Sequence, residues 1–213
     1  MNTKEKIKCL IWNASHFNKI IRKKGLRIND GNAMLSHCCI INAGKENELS
    51  IAPRSDLRQC KFHFYGSHNQ IIIEEGTCLN NLEIWIEDDY NCVKIGKYTS
   101  VTGQTHLACT EGCQIIIGEN CLFSSNIVIR TGDSHSIVNE QGQRINHAES
   151  VLVKDHVWIG QNATILKGTM IENDSIVGTG SVLTGKKFGP NVIVAGVPAS
   201  VVKKNVNWNK KRI

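Results

Sequence analysis

The sequence predicts an all-β solenoid built from short strands, and three observations predict this fold. Glycine is frequent, proline and aromatic residues are few, and isoleucine and valine are spread along the 213 residues. Isoleucines stand 22 residues apart at positions 51, 73, 95 and 117. From residue 153 onward an aliphatic residue returns every six residues, and no helical period appears after residue 50.

The first half of the chain carries the longer repeat, in the segments NELSI, NQIII, NCVKI and CQIII. Small or compact residues follow four places after each isoleucine, at Ser55, Thr77, Thr99 and Cys121. The next apolar anchors are Leu57, Leu79, Val101 and Phe123, and a further step of six gives Trp85, Leu107 and Ile129. We interpret three such steps as one coil, with about four additional residues at a corner, where a surface loop costs little.

The second half repeats the six-residue step without the additional residues. Its anchors are Val153, Ile159, Ile165, Ile171, Val177 and Leu183. Small residues between the anchors suit short strands joined by tight corners. We therefore expect a prism with three strands to a coil and a hydrophobic axis. This pattern alone does not fix the handedness of the coil.

The stretch RTGDSHSIVNEQGQRINHAES, residues 130–150, interrupts the repeat, because the anchor positions fall on His135, Gln141 and His147. We expect the chain to leave the prism here as a loop, and a long loop in a compact domain is usually functional. His135 stands at the root of the loop, two residues after Asp133. An imidazole in this place suits a general base.

We divide the chain into a basic amphipathic cap with a short helix (1–25), a β-helix (26–204) with an active-site loop (131–150), and a basic tail (205–213). The net charge of +6 suits an anionic ligand, whereas no nucleic-acid-binding motif is present. We expect the nine cysteines to be reduced and no metal site to form. Without a signal peptide or a membrane span, we expect a cytoplasmic protein with at most peripheral membrane contact.

The runs HVWIG, QNATIL and VGTGSV, followed by NVIVAGVPASVVKK, resemble the hexapeptide-repeat acyltransferases. Within that family, the segments DSHSI, GQRINH and HVWIG are most similar to bacterial polysialic acid and capsule O-acetyltransferases. The resemblance implies a left-handed parallel β-helix, a homotrimer, acetyl-CoA as the donor and a carbohydrate acceptor. The expected reaction is direct transfer to a hydroxyl of a surface or capsular glycan.

The resemblance also assigns roles to residues. It places the catalytic histidine at His135 and Trp158 beside the thioester of acetyl-CoA, although Trp158 could simply be packed. Residues at the family's coenzyme A positions are Trp158, Gly160, Gln161, Thr179, Gly180, Thr184, Lys186, Lys187 and Lys203. Asp133 could orient the imidazole, contact the acceptor or form a turn. Arg144, Asn146 and His147 are candidate acceptor contacts, or else part of a solvated loop.

Three other functions are also compatible with the sequence. An N-acetyltransferase of a nucleotide-linked amino sugar would use the same donor. A zinc hydratase would need three converging histidines, for which His106, His135 and His156 have no familiar spacing. A non-catalytic solenoid would keep its function when His135 is replaced.

Overall fold

The computed structural model describes residues 7, 13–14, 17–21 and 24–213 and shows a three-sided β-helix. The first sheet contains β1 (Lys19–Ile21), β4 (Cys39–Asn42), β7 (Lys61–Phe64), β10 (Leu82–Ile86), β13 (Thr105–Cys109), β16 (Ile127–Arg130), β19 (Thr164–Ile165) and β22 (Val182–Leu183). The second sheet contains β2 (Leu26–Asn29), β5 (Asn47–Ile51), β8 (Gln70–Ile73), β11 (Cys92–Ile95), β14 (Gln114–Ile117), β17 (Val151–Val153), β20 (Met170–Ile171) and β23 (Lys187–Phe188). The third sheet contains β3 (Met34–Ser36), β6 (Asp56–Arg58), β9 (Cys78–Asn80), β12 (Ser100–Val101), β15 (Leu122–Phe123), β18 (Trp158–Ile159), β21 (Ile176–Val177), β24 (Val192–Gly196) and β25 (Ala199–Lys204).

The register of the sheets confirms the predicted repeat. In the second sheet the isoleucines at 51, 73, 95 and 117 are successive partners, and Val153 pairs with Ile117. In the third sheet Leu57, Leu79, Val101 and Phe123 are partners in the same way. All of these side chains are buried along the axis of the prism. Each coil therefore buries its apolar anchors against the coils above and below it.

Trp85 is not buried along the axis, so the prediction that it is an apolar anchor is wrong. Strand β10 buries Leu82, Ile84 and Ile86, so Trp85 points outward. Ile84 pairs with Leu107, a step of 23 residues in this coil. A shift of one residue along a strand moves every side chain to the opposite face of the sheet. The six-residue spacing therefore predicted Trp85 as the buried residue in place of Ile84.

The additional residues of the longer coils lie at the corner between the first and second sheets. Buried asparagines line this corner from the inside, at Asn47, Asn69 and Asn91. Each side-chain oxygen accepts a hydrogen bond from the backbone NH one coil further on, at 2.8 Å from Asn69 to Asn47 and 2.7 Å from Asn91 to Asn69. Each side-chain amide donates to a carbonyl of the corner itself. This asparagine ladder satisfies backbone groups that the wider corner would leave unpaired.

The corners turn through left-handed backbone conformations. At the corner between the second and third sheets, seven residues have φ between 54° and 61°, namely Asn32, Arg54, Tyr98, Asn120, His156, Asp174 and Asn191. Asparagine, aspartate and histidine adopt this conformation more readily than most residues. At the first–second corner, coils also approach closely, since a Cβ on Gly66 would lie 1.7 Å from the carbonyl oxygen of Asp88. Only glycine fits at that position.

The N-terminal end of the β-helix differs from the predicted boundary. Much of the predicted cap (residues 1–6, 8–12, 15–16 and 22–23) lies outside the described residues, and residues 7, 13 and 14 are helical. Strand β1 pairs with β4, so the β-helix begins at Lys19 and not at residue 26. At the other end, β25 runs antiparallel to β24. The tail then folds back, and Trp208 donates a hydrogen bond to the carbonyl of His156 at 2.8 Å.

Four thiols occupy compact interior positions in the coils. Cys38, Cys60, Cys109 and Cys121 are buried, and all eight cysteines of the described part are free. Burial raises the pKa of Cys109 to about 12 and that of Cys121 to about 11. Cys109 and Cys121 therefore stay protonated and unreactive at neutral pH.

Candidate active site

The loop of residues 131–150 leaves the prism at the first–second corner, after β16, and returns at β17. Its root is held by the buried Thr131, whose hydroxyl accepts a hydrogen bond from the Thr110 NH at 3.0 Å. The Glu149 NH donates to the Thr131 carbonyl at 2.8 Å, which ties the two ends of the loop together. The loop is therefore anchored on the coil that precedes it.

Asn146 organises the interior of the loop. Its side-chain oxygen accepts a hydrogen bond from the Ile137 NH at 2.7 Å. Its amide donates to the His135 carbonyl at 2.8 Å and to the Asp133 carboxylate at 2.9 Å. Because Asn146 is only 7% exposed and its amide is already bonded, we assign it to the structure of the loop. The acceptor contact predicted for it does not fit this burial.

Two ion pairs fasten the loop to neighbouring coils. Arg144 bonds to Glu111, and the other oxygen of Glu111 accepts from the Ala148 NH at 3.2 Å. Lys167 donates to Asp133 at 2.7 Å. Arg144 thus also holds the loop. Within the part of the chain that the structure describes, Asp133 bonds to Lys167 and Asn146 and makes no hydrogen bond to the His135 ring.

We expect acidification to loosen this loop only below the ordinary range of carboxyl titration. The hydrogen bond from Lys167, followed by that from Asn146, lowers the pKa of Asp133, and the hydrogen bond from Arg144 lowers the pKa of Glu111. A carboxylate with a lowered folded-state pKa stabilises the fold above its unfolded pKa of about 4, and this contribution is lost as the pH falls through the folded value. Hydrogen exchange of the Ile137 and Ala148 amides, followed as the pH is lowered, measures the effect.

The matched variants are Glu111→Gln and Glu140→Gln. Glu111→Gln removes the charge at every pH, so the Ala148 amide should exchange faster even at neutral pH. Glu140 is exposed on the same loop and has no ion pair among residues 24–213, so its variant should exchange like the wild type. Unchanged exchange in Glu111→Gln would show that Glu111 does not hold the loop.

His135 is exposed to solvent at the root of the loop, while Asn146 holds its carbonyl. The backbone of this residue is therefore fixed and its imidazole is accessible, as a general base requires. His147 is also exposed, further along the loop. Of the predicted loop residues, the structure brings Asp133, His135, Arg144 and Asn146 together.

Two hollows flank the root of the loop on the outer face of the first sheet. One has a volume of about 310 Å³ and extends towards the N-terminal coils, between Trp85, His106 and the loop root. The other has a volume of about 410 Å³ and extends towards the C-terminal coils, where Lys167 and Thr184 line it. Arg130, Gly132 and Asp133 line both hollows. The loop root thus stands between the two hollows.

The residues predicted to bind coenzyme A are distributed around the C-terminal coils. Gly160, Gln161, Thr179 and Gly180 lie at the third–first corner, where the Gly180 NH donates to the Gln161 carbonyl at 2.8 Å. Thr184 and Lys186 lie at the first–second corner, between β22 and β23. Lys187 lies on the second sheet, paired with Glu172, and Lys203 lies on β25. One coenzyme A could contact only part of this set on a single prism.

Trp158 lies on the third sheet with its side chain 38% exposed. Its ring is 6.1 Å from that of Trp208, which stacks on His156 at 4.4 Å. The third sheet is the face opposite the first–second corner, so Trp158 and the loop root lie on opposite sides of one prism. Among the residues described, the loop makes no hydrogen bond to the third sheet.

Three residues of the site escaped the sequence prediction, namely Trp85, Arg130 and Lys167. Trp85 was counted as part of the core, and Arg130 directly precedes the loop. Lys167 is 34 residues away from Asp133 in sequence. The sequence contained only one indication of its place, namely that Lys167 stands two residues after the anchor Ile165, in the coil that stacks on the loop root. The described residues contain no cluster of three or more potential metal ligands.

Comparisons with known proteins agree with this architecture. The family description "Bacterial transferase hexapeptide (six repeats)" matches residues 150–185. A crystal structure of a polysialic acid O-acetyltransferase superposes with a TM-score of 0.83 at 29% identity and covers 92% of each chain. The fold is thus the left-handed parallel β-helix of the hexapeptide-repeat transferases, as predicted.

Sequence relatives define the family more closely. The polysialic acid O-acetyltransferase of Neisseria meningitidis is 31% identical over 189 residues, which cover 79% of this chain and 88% of that protein. The polysialic acid O-acetyltransferase of Escherichia coli O1:K1 / APEC is 29% identical over 117 residues, 54% of this chain and 38% of that protein. The chain belongs to the hexapeptide-repeat O-acetyltransferase family that includes these proteins, and it is an acyltransferase. No helix of the described part is long and apolar enough to cross a membrane.

Proposed function

We propose that the protein transfers an acetyl group from acetyl-CoA to a hydroxyl of an acidic bacterial surface or capsular glycan, in the cytoplasm. Support comes from its relatives, which are named for O-acetylation of polysialic acid. The net charge of +6 is favourable for an anionic acceptor. The observation that carries the proposal is the exposed imidazole of His135 at the root of the loop, where Asn146 holds its carbonyl and the nearby Gly132 and Asp133 line both hollows.

In the proposed reaction His135 takes the proton of the acceptor hydroxyl as its oxygen attacks the thioester carbonyl carbon. The new C–O bond forms a tetrahedral intermediate, and the C–S bond then breaks. The imidazolium returns the proton to the departing thiolate, so the products are the acetyl ester and coenzyme A. A backbone NH near Gln161 is our candidate for stabilising the oxyanion. The acceptor is itself the nucleophile, so no acetyl-enzyme is required.

We propose that the working enzyme is a homotrimer with its active sites between neighbouring prisms. The supporting observation is the separation of the two predicted catalytic residues, with Trp158 on the third sheet and His135 at the opposite corner. A neighbouring prism that presents its third sheet to the loop would bring them together and form a cleft for acetyl-CoA. The residues at the third–first corner of one chain and Thr184 of another would then share one donor molecule. A monomer would be nearly inactive.

Co-expression of His135→Ala with Trp158→Ala tests this arrangement. In trimers that mix at random, an intact site needs one unaltered residue from each of two chains, so about a quarter of wild-type activity should return. The comparison is wild type co-expressed with the double variant carrying both changes. If the sites lie between chains, this second mixture should again show about a quarter of wild-type activity. If each site lies within one chain, it should show about half, and the mixture of the two single variants should show no activity. That second pattern would contradict the proposal.

The acceptor assignment is tested by following coenzyme A release with candidate acceptors, followed by NMR of the product. We expect release with an acidic polymer such as polysialic acid and a new ester on a sugar hydroxyl. Acetylation of an amine on a nucleotide-linked amino sugar instead would identify an N-acetyltransferase. Absence of thiol release with every acceptor would contradict the proposed acceptor class.

A further inference from the structure

The outward face of the first sheet carries a column of register neighbours beside the active-site loop. His63 pairs with Trp85, Trp85 with Ala108, and Ala108 with Arg130. Adjacent strands are about 4.8 Å apart, so Trp85 and Arg130 are roughly 10 Å apart across the small side chain of Ala108. An alanine between two large residues leaves a hollow about as wide as a pyranose ring. This is the N-terminal hollow of about 310 Å³.

One wall of the hollow is aromatic. The ring centroids of Trp85 and Tyr65 are 4.7 Å apart, and those of Trp85 and His63 are 4.8 Å apart. The indole NH donates to Glu87 at 2.8 Å, which fixes the tilt of the ring. Tyr65 is 44% exposed, so the cluster continues beyond the hollow over the preceding coils. A fixed aromatic face is a common platform for the apolar side of a sugar ring.

The opposite wall carries a cation with unused hydrogen-bonding capacity. Arg130 donates from Nη2 to the Ser134 hydroxyl at 2.9 Å, while its buried Nε has no partner. None of the salt bridges among the described residues includes Arg130, since Asp133 bonds to Lys167 instead. Glu83, which faces the same side, lies within 3.3 Å of both His63 and His106. The two carboxylates that line the hollow also have other partners, since Asp133 accepts from Lys167 and Glu87 accepts from the Trp85 indole, and neither forms an ion pair with Arg130. Arg130 is therefore available to an anion.

We propose that the hollow between Trp85 and Arg130 binds one acidic sugar of the glycan, adjacent to the sugar whose hydroxyl His135 deprotonates. The sugar ring stacks on Trp85 above Ala108, and its carboxylate bonds to Arg130. Gly132 and Ser134, at the loop root, form the side of the hollow towards His135. The position of the aromatic cluster directs the rest of the polymer over the N-terminal coils. This subsite rests on the proposed function, which it deepens.

Binding without the donor tests the subsite separately from catalysis. The probe is a short oligomer of sialic acid, titrated into the enzyme by calorimetry in the absence of acetyl-CoA. Ala108→Leu, which fills the hollow, and Trp85→Ala should each weaken binding about tenfold, a factor equal to about 1.4 kcal/mol. Ser50→Leu places the same bulk on the outer face of the second sheet and should bind like the wild type.

Arg130→Gln tests the anionic part of the proposal. It should weaken binding of the sialic acid oligomer much more than binding of a neutral maltose oligomer, and Arg130→Lys should restore part of the difference. Equal binding by wild type and Ala108→Leu, or no binding of the acidic oligomer by wild type, would overturn the subsite. Neither result depends on acetyl transfer, so each is distinguishable from failure of the proposed function.

Discussion

His135→Ala is expected to lower kcat for acetyl transfer by about a hundredfold to ten-thousandfold, the range that general-base catalysis typically contributes. The imidazole is exposed, and its backbone carbonyl is held by the buried Asn146, so removing the ring should leave the loop in place. Affinity for acetyl-CoA should therefore stay unchanged. Steady-state kinetics with a glycan acceptor, together with calorimetric titration of coenzyme A, separates the two effects.

Chemical rescue provides the control for this experiment. Free imidazole added to His135→Ala should restore part of kcat, because it supplies a base where the side chain was removed. Imidazole should not stimulate a variant of a distant histidine, for which His37→Asn at the third–first corner is suitable. Wild-type kcat in His135→Ala would refute the proposed mechanism.

Asn69→Ala is expected to destabilise the β-helix by about 2–5 kcal/mol. The fully buried side chain accepts from the Asn91 NH and donates to the Asp88 carbonyl. Its removal leaves the buried Asn91 NH without this acceptor and the partly buried Asp88 carbonyl without this donor. The midpoint of urea denaturation measures the loss. Coenzyme A binding at low denaturant should persist, since the ladder is far from the C-terminal coils.

Asn80→Ala is the matched comparison for the ladder. Asn80 also donates a side-chain hydrogen bond to the next coil, to the Thr102 carbonyl at 3.3 Å, but it lies on the outer side of the prism. Water can replace that bond, so the variant should lose no more than about 1 kcal/mol. Similar losses in the two variants would show that burial of the ladder is not what stabilises the corner.

The solenoid was predictable because each anchor repeats a local requirement. Every strand needs a buried aliphatic residue that faces the axis. The spacing of aliphatic residues in the sequence therefore follows the spacing of the strands in the β-helix. The prediction failed at Trp85, where the coil advances by 23 residues between Ile84 and Leu107. The asparagines of the ladder were visible in NELSI, NQIII and NCVKI, yet their role follows only once the corner is known to be wide.

The site was predictable in part for the same reason. An interrupted pattern marked the loop and its histidine, because polar residues stood where anchors were required. Partners such as Lys167 for Asp133 depend on which coil stacks against the loop, and no local pattern carries that information. Burial of Asn146 likewise follows from the way the loop folds on itself, with Val138 bridging to Arg144.

The antiparallel strand β25 covers the last parallel strand of the third sheet. A parallel β-helix presents open strand edges at its final coil, and such edges can template the addition of another copy. In the third sheet, β25 covers that edge and reverses the chain direction, and Lys203 and Lys204 charge its exposed surface. A second prism stacked end to end would meet a strand of the wrong polarity and a row of like charges. In the third sheet, β25 thereby disfavours end-to-end addition of another copy.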